Sequence, residues 1–254
     1  MRKQTETRDQ LTSASRVLLV GAGPVGLELA GEIIDVWPDK AVTIVDVAGD
    51  ILGGAYSPEL RECLRDQLEE RGVQLVLGAP LVEEITVVLG VNAPISVSTT
   101  AGVGISADIW FRCYGVVPES DYLAGDLLSA RRPDGFIDVD DRLRVAGHEN
   151  VFAIGDVTSI AEPKRASAAQ QHAQVVADRI SAMAEGRVPE ATYLPGPDGV
   201  LIPLGATGGA GQFPSAEATV VGPVETAQFK GRDLMVGRYA ELFGGNGSSQ
   251  IPGS

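Results

Sequence analysis

The chain has 254 residues, enough for one large domain or two to three small ones, which excludes a tiny scaffold. Its 20 lysines and arginines stand against 34 aspartates and glutamates, a net charge of −14 that repels phosphate backbones and anionic headgroups and so argues against nucleic acid as a partner. Cys63 and Cys113 lie far apart with no CxxC or Cys/His spacing around either, so no metal cage or redox pair is suggested locally and they read as buried thiols in a reducing compartment.

The opening residues, MRKQTETRDQLTSAS, are polar and lack an apolar signal-peptide core. No window reaches the roughly 18 uninterrupted apolar residues of a membrane span. The expected location is therefore the cytoplasm, with contact limited to the membrane periphery. RVLLV, from Arg16, is a β-branched run suited to a buried parallel strand, and Leu27, Ala30, Ile33 and Ile34 then mark one face of a helix. WPDK breaks that helix, and AVTIVD is a second buried strand. Leu60, Leu64 and Leu68 signal another helix, stopped at Gly72, and VQLVLG is the third strand. Strands alternating with helices predict a parallel sheet.

From Leu81 to Asp108 the texture changes to short runs, LVEEITVVLG, ISVSTT and GISAD, which predict an antiparallel meander. IWFRCYG returns as a buried strand. After about Leu123 come a polar stretch, a hairpin-like GFIDVDDRLRV, a buried strand VFAIG and one long helix from about Pro163, with Ala166, Ala169, Ala173, Val176 and Ile180 on one face. The remainder is rich in Gly and Pro, with a final helical pattern at RDLMVGRYAELF whose apolar stripe is Leu234, Met235, Tyr239, Leu242 and Phe243.

The first strand–helix junction carries chemistry. Gly21, Gly23 and Gly26 form a GxGxxG at the hinge: the first permits the tight turn, the second lets a pyrophosphate approach bare backbone, and the third lets helix and strand pack closely. Pro24 fits the first helical turn, and the open N–H groups of that turn form an anion site. Asp46 closes the next strand, where a carboxylate accepts the hydroxyls of an adenosine ribose. No Lys or Arg follows in VAGDIL to receive a 2′-phosphate, which favours NADH over NADPH. A tight structural turn with a surface aspartate is the alternative.

GAGPVGLELAGEI, RCYGVVPESDYL and LRVAGHENVFAIGDVT together resemble the flavoprotein family with two dinucleotide domains: pyridine nucleotide-disulphide oxidoreductases, type II NADH dehydrogenases and apoptosis-inducing-factor-like oxidoreductases, closest to the ferroptosis-suppressor branch. The resemblance runs from about Arg16 to about Gly237 and includes PLGATGGAGQ and GRDLMVGR. It implies an α/β fold: a Rossmann-like, doubly wound NAD-binding domain with a β-meander, the C-terminal part of an FAD-binding domain, and a small C-terminal α+β domain. The implied boundaries are a polar segment over 1–15, the NAD(P)H domain over 16–125, the FAD-domain remnant over 126–187, and the C-terminal domain and tail over 188–254. The family's first βαβ and its own GxGxxG, which hold the ADP half of FAD, have no counterpart before Arg16, so the chain is expected to carry an FAD half-site only.

Within that half-site the resemblance implies that Gly155 allows close approach and that Asp156 takes hydrogen bonds from the ribityl and pyrophosphate region of the flavin. The following helix aims its N-terminus, near Lys164, at the flavin pyrimidine. Asp156 as a helix N-cap and Lys164 as a solvated charge are the alternatives. Glu28 is implied to sit near the nicotinamide, its alternative being a favourable charge early in a helix. Gly115 marks the crossing between the two domains. No catalytic residue and no metal ligand is assigned, His148 and His172 are isolated from other ligand types, and the family's CxxxxC pair is absent.

Two functions follow. The first is an FAD-dependent oxidoreductase passing hydride from NADH to flavin and on to a quinone or similar small acceptor. The second is a truncated NADH-binding module or partial chain without turnover. Expected partners are NADH, such an acceptor, and either a second copy of the chain or a partner chain supplying the FAD lobe.

Overall fold

A computed structural model describes residues 2–54, 56–196, 199–214 and 219–244; the tail after 244, which the sequence assigns to the C-terminal domain, lies outside the described residues. The chain divides into two compact units, Met1–Tyr114 with Gly199–Ser254, and Gly115–Asp198.

In the first unit, β1 (Arg16–Val20), β2 (Ala41–Val45), β3 (Gln74–Val76) and β6 (Ile109–Arg112) form a parallel sheet of order β3-β2-β1-β6. The crossovers are α2 (Pro24–Val36) and α3 (Pro58–Glu70), so the α/β class and Rossmann-like order expected from the alternating pattern hold. Val17, Leu18 and Leu19 are all buried, because both faces of the sheet are covered. One face carries α2 and α3, with Leu27, Ile33, Leu60, Leu64 and Leu68 in a single core. The other face is covered by the hairpin β4 (Ile95–Ser98) and β5 (Gly104–Ala107), whose Ile95, Val97 and Ile105 pack on Leu18, Val45 and Val76.

Local signals explain α3 well. Ser57 caps it by accepting the Leu60 N–H at 3.2 Å, Pro58 opens the first turn, and Gly72, at φ +81°, ends it with Val73 N–H returning to the Leu68 carbonyl. Full burial of each of its three leucines contributes about 2 kcal/mol. Residues 2–13, polar in composition, form a helix too: α1 (Arg2–Ser13) presents Leu11 to the same core, and Asn92 N–H returns a bond to Gln10 at 2.9 Å.

The chain re-enters this unit as an antiparallel sheet of β7 (Val200–Leu204), β8 (Gly208–Phe213) and β9 (Thr219–Val221). Val200, Ile202, Leu204 and Ala210 share the core of α2 and α3, so α2 is covered on two sides. The approach is close: a Cβ on Gly31 would stand 2.4 Å from the Leu204 Cα. The final helical pattern is broken. A short α5 (Pro223–Thr226) runs into a π-helical turn, Ala227–Gly231, and Leu234 and Met235 take φ +52° and +64° before α6 (Val236–Leu242).

The meander differs from expectation as well. Among the described residues, 81–90 contributes only the bridge Leu81↔Thr99, leaving β4 and β5 as its ladder.

The second unit is held by turns and single bridges around small cores of Ala130, Ile137, Val145 and Ala153, and of Leu143, Val176 and Tyr193. VFAIG makes one bridge, Arg144↔Phe152, rather than a ladder. The long helix is α4 (Ala166–Ala184), and its buried face is His172, Val176, Arg179 and Ala182; Ala173 and Ile180 face outward. The face is rotated from the expected one because α4 packs on hydrogen-bonding groups, which apolar periodicity does not register.

Candidate functional site

The glycine loop is built as its spacing requires. Gly21, at φ +115°, sits where a Cβ would lie 2.9 Å from the Cys113 carbonyl carbon and oxygen. Gly26 packs α2 against the loop so closely that a Cβ would stand 2.0 Å from the Gly21 oxygen. Gly23 is different: its backbone is extended and a Cβ there would meet nothing within 4 Å. It is the N-cap of α2 and offers no side-chain cap, so the first-turn N–H groups beyond Pro24 are open to an anion.

The loop borders a cleft of about 600 Å³ at the carboxyl ends of β1, β2 and β6, where the strand order reverses. Asp46 lines it. Its carboxylate accepts the Ala22 N–H at 2.5 Å and the Ala48 N–H at 2.8 Å, tying the glycine loop to the loop after β2. A carboxylate has about four lone-pair sites, so acceptor capacity remains for ribose hydroxyls. The arginines of α3 beside that loop are engaged: Arg65 pairs with Asp50, and Arg61 donates to the Leu52 and Gly54 carbonyls at 3.1 and 2.8 Å. Arg112 also lines the cleft, its guanidinium 5.9 Å from the centre of the Tyr114 ring. Sequence reasoning missed it, although period-two alternation along β6 places Trp110, Arg112 and Tyr114 on one face.

Glu28 lies one turn into α2 with its carboxylate 2.7 Å from the Lys230 ammonium in the π-helical turn. Burial pushes the Glu28 carboxyl above its usual range, and Lys230 opposes the shift. Lys230→Met is expected to cost about 1–2 kcal/mol at neutral pH, because it leaves a part-buried carboxylate unpaired. Glu28 binds a proton more readily folded than unfolded, so the penalty shrinks as pH falls and the carboxyl neutralises. Urea unfolding at pH 7 and pH 5 measures this; an equal or larger gap in acid would contradict it. Cys113, behind Gly21, is an inert thiol whose pKa burial pushes up to about 11.

The remaining candidates lie in the second unit. Gly115 opens it at φ +70°. Gly155, at φ +73°, starts a 3-10 turn, Gly155–Val157, that presents Asp156 to solvent; the N-cap of α4 is Arg165, so Asp156 does not cap that helix. Lys164 is tied down rather than free, donating to the Thr158 and Ile160 carbonyls at 2.8 and 2.7 Å over the face of Phe136. Arg165 supplies no side-chain cap to α4. Among the described residues, no helix is long and apolar enough to cross a membrane.

Comparison with known proteins adds the lineage. An FAD-dependent oxidoreductase of Flammulina velutipes is 31% identical over 234 residues, covering 91% of this chain and 70% of its own. Ferroptosis suppressor protein 1 of Xenopus laevis is 29% identical over 233 residues, covering 91% of this chain and 61% of its own. The structure of the water-forming NADH oxidase of Lactobacillus brevis bound to NADH is similar with a TM-score of 0.64 at 20% identity, over 82% of this chain and 44% of that one, a likeness of fold. The chain thus spans 61% of the frog relative's length and less than half of the oxidase's. A profile of the pyridine nucleotide-disulphide oxidoreductases matches residues 2–173, and over that much of the chain it shows that the protein belongs to this family, whose cofactors are FAD and NAD(P)H.

Proposed function

We propose that the chain is the nucleotide-binding part of an FAD-dependent NADH oxidoreductase that delivers electrons to a quinone or similar small acceptor. The observation that carries the reading is the contrast within the glycine loop. Gly21 and Gly26 are required by the protein's own packing, whereas the open space at Gly23 is accounted for by a pyrophosphate lying against bare backbone. Asp46 orients the adenosine ribose, and the arginines of α3 beside it, Arg61 and Arg65, are engaged by their own loop rather than held for a 2′-phosphate. Glu28 and Lys230 provide a paired charge beyond the pyrophosphate, suited to orienting a carboxamide. In the second unit, Gly155, Asp156 and the uncapped start of α4 are the groups that fit a flavin's ribityl and pyrophosphate region. Hydride acceptance from the nicotinamide is the chemistry bound flavin supplies in this family. The quinone-type acceptor is what the sequence resemblance implies, and the exposed Phe229, Leu242 and Phe243 offer it an apolar surface.

NADH is expected to bind at least about tenfold more tightly than NADPH, a difference of about 1.4 kcal/mol, and Asp46→Ala to remove the preference. Calorimetric titration of both nucleotides decides this. The ratio is the informative quantity, because loosening of the Ala22 amide weakens both nucleotides alike. Equal affinities in the parent chain would overturn the assignment. Gel filtration after incubation with FAD separates the two functional classes: retained flavin supports the enzyme, and NADH binding without flavin leaves a binding module.

A further inference from the structure

Two buried polar side chains of the second unit, His172 and Thr158, meet at one turn. His172 is 1% exposed on the inner face of α4, and its Nδ1 accepts the Gly155 N–H at 3.0 Å. A ring nitrogen that accepts carries no proton, so the proton of the neutral ring sits on Nε2. Nε2 lies 2.9 Å from Glu162 Oε1, a close charge contact without the alignment of a hydrogen bond. The other Glu162 oxygen accepts the Tyr193 hydroxyl at 2.5 Å, and the Tyr193 ring meets the imidazole edge-on with centroids 4.2 Å apart. Tyr193 is anchored in turn: its N–H donates to the Asp141 carbonyl at 2.7 Å, and the buried Arg179 of α4 donates to the carbonyls of Pro189 and Ala191 just before it. A carboxylate on one nitrogen and a phenol against the ring therefore leave Nδ1 a single aim. That aim is the amide of a left-handed glycine whose carbonyl also accepts the Thr158 hydroxyl at 3.0 Å.

We propose that His172 is the positioning residue of the Gly155–Asp156 turn: the neutral imidazole, oriented by Glu162 and Tyr193, holds the Gly155 amide and so sets where the Asp156 carboxylate projects toward a flavin's ribityl or pyrophosphate group. The ligand in this inference rests on the flavin reading of Asp156 given above; the hold on the turn does not.

Protonation removes the acceptor and sets an imidazolium N–H against the Gly155 N–H, so the hold is lost in acid. The charged and titratable groups facing the ring are Glu162 and Lys164 from the segment before α4 and Tyr193 from the segment after it. Burial holds His172 below its ordinary 6.5, Lys164 acts in the same direction and Glu162 opposes it. Folded chain then binds fewer protons than unfolded chain, so the stability from this site is complete above pH 6.5 and declines as pH falls through that value toward the lower folded pKa.

Amide hydrogen exchange of Gly155, followed by NMR on the full chain, reads the bond. In His172→Phe, which keeps a ring and loses the acceptor, Gly155 protection should fall about tenfold relative to the Ile137 amide; in His172→Gln, whose side-chain oxygen accepts the same proton, it should stay within about threefold of the parent. In the parent the protection should decline as pH falls below 6.5, and in His172→Gln it should stay level. Free FAD, titrated by the quenching of its fluorescence, should bind His172→Phe about fivefold more weakly than the parent or His172→Gln. Unchanged Gly155 protection in His172→Phe, or equal loss in both variants, overturns the positioning role. If His172→Phe does not fold, Tyr193→Phe removes only the hydroxyl that fixes Glu162: an approximately threefold loss of Gly155 protection upholds the role, and no change overturns it. Gly155 opening in His172→Phe while FAD binds none of the proteins upholds the hold on the turn and rejects the flavin reading.

Discussion

Gly26→Ala is expected to lose about 3 kcal/mol or more of stability and to abolish nucleotide binding. The added methyl would stand 2.0 Å from the Gly21 oxygen, 3.2 Å from its carbonyl carbon and 3.3 Å from the Cys113 Cβ. The first two are backbone atoms and cannot rotate away, so α2 must move off β1. That displacement opens the contacts of Leu27 and Ala30 with the sheet, the cavity-and-strain mechanism behind the largest single-site losses. It also carries the N-terminus of α2 away from the anion it faces. Urea unfolding and NADH calorimetry measure the two effects, and a variant with the parent's midpoint would rule out the packing described for this helix.

Gly23→Ala should do the reverse. The backbone there is extended, a conformation open to any residue, and the methyl meets no protein atom, so stability should stay within about 1 kcal/mol of the parent. NADH affinity should nonetheless fall about a hundredfold, because the methyl occupies the space a pyrophosphate needs beside the first turn. A purely structural turn predicts no change in a nucleotide titration. Retained affinity in Gly23→Ala, together with a stable fold, would return the GxGxxG to that simpler role.

These two glycines were legible in the sequence because the information they carry is local. The strand before Gly21, the helix after Pro24 and the acid at Asp46 fall in the order that a βαβ unit demands, and the Leu60, Leu64 and Leu68 ladder needs only the period of a helix. The pairing of Glu28 with Lys230 needs contacts between residues at opposite ends of the chain, which no periodicity encodes. The last helix shows the same limit differently. An apolar repeat is identical for a continuous helix and for one interrupted at Leu234 and Met235. The interruption follows a π-helical turn whose Gly231 lies against the backbone of Gly205 and Ala206, so a tertiary approach overrides the local pattern. His172 has no other ligand type near it in sequence; its partners Gly155, Glu162 and Tyr193 meet it only once the turn and the segment after α4 have folded back.

The return of β7 against α2 sets a timetable for the chain's birth. The parallel sheet and its helices leave the ribosome early, yet the side of α2 bearing Gly31 stays uncovered until Leu204 has been made. At about 5–20 residues per second that interval is on the order of 10 s, far longer than helix formation or collapse. Throughout it the nascent first unit exposes the groove that β7 will fill, and the second unit, whose sequence is continuous, is synthesised in full before the first is closed. The unit that is continuous in sequence is therefore able to fold first and the discontinuous one last, an order imposed by the order of synthesis rather than by the strength of any contact.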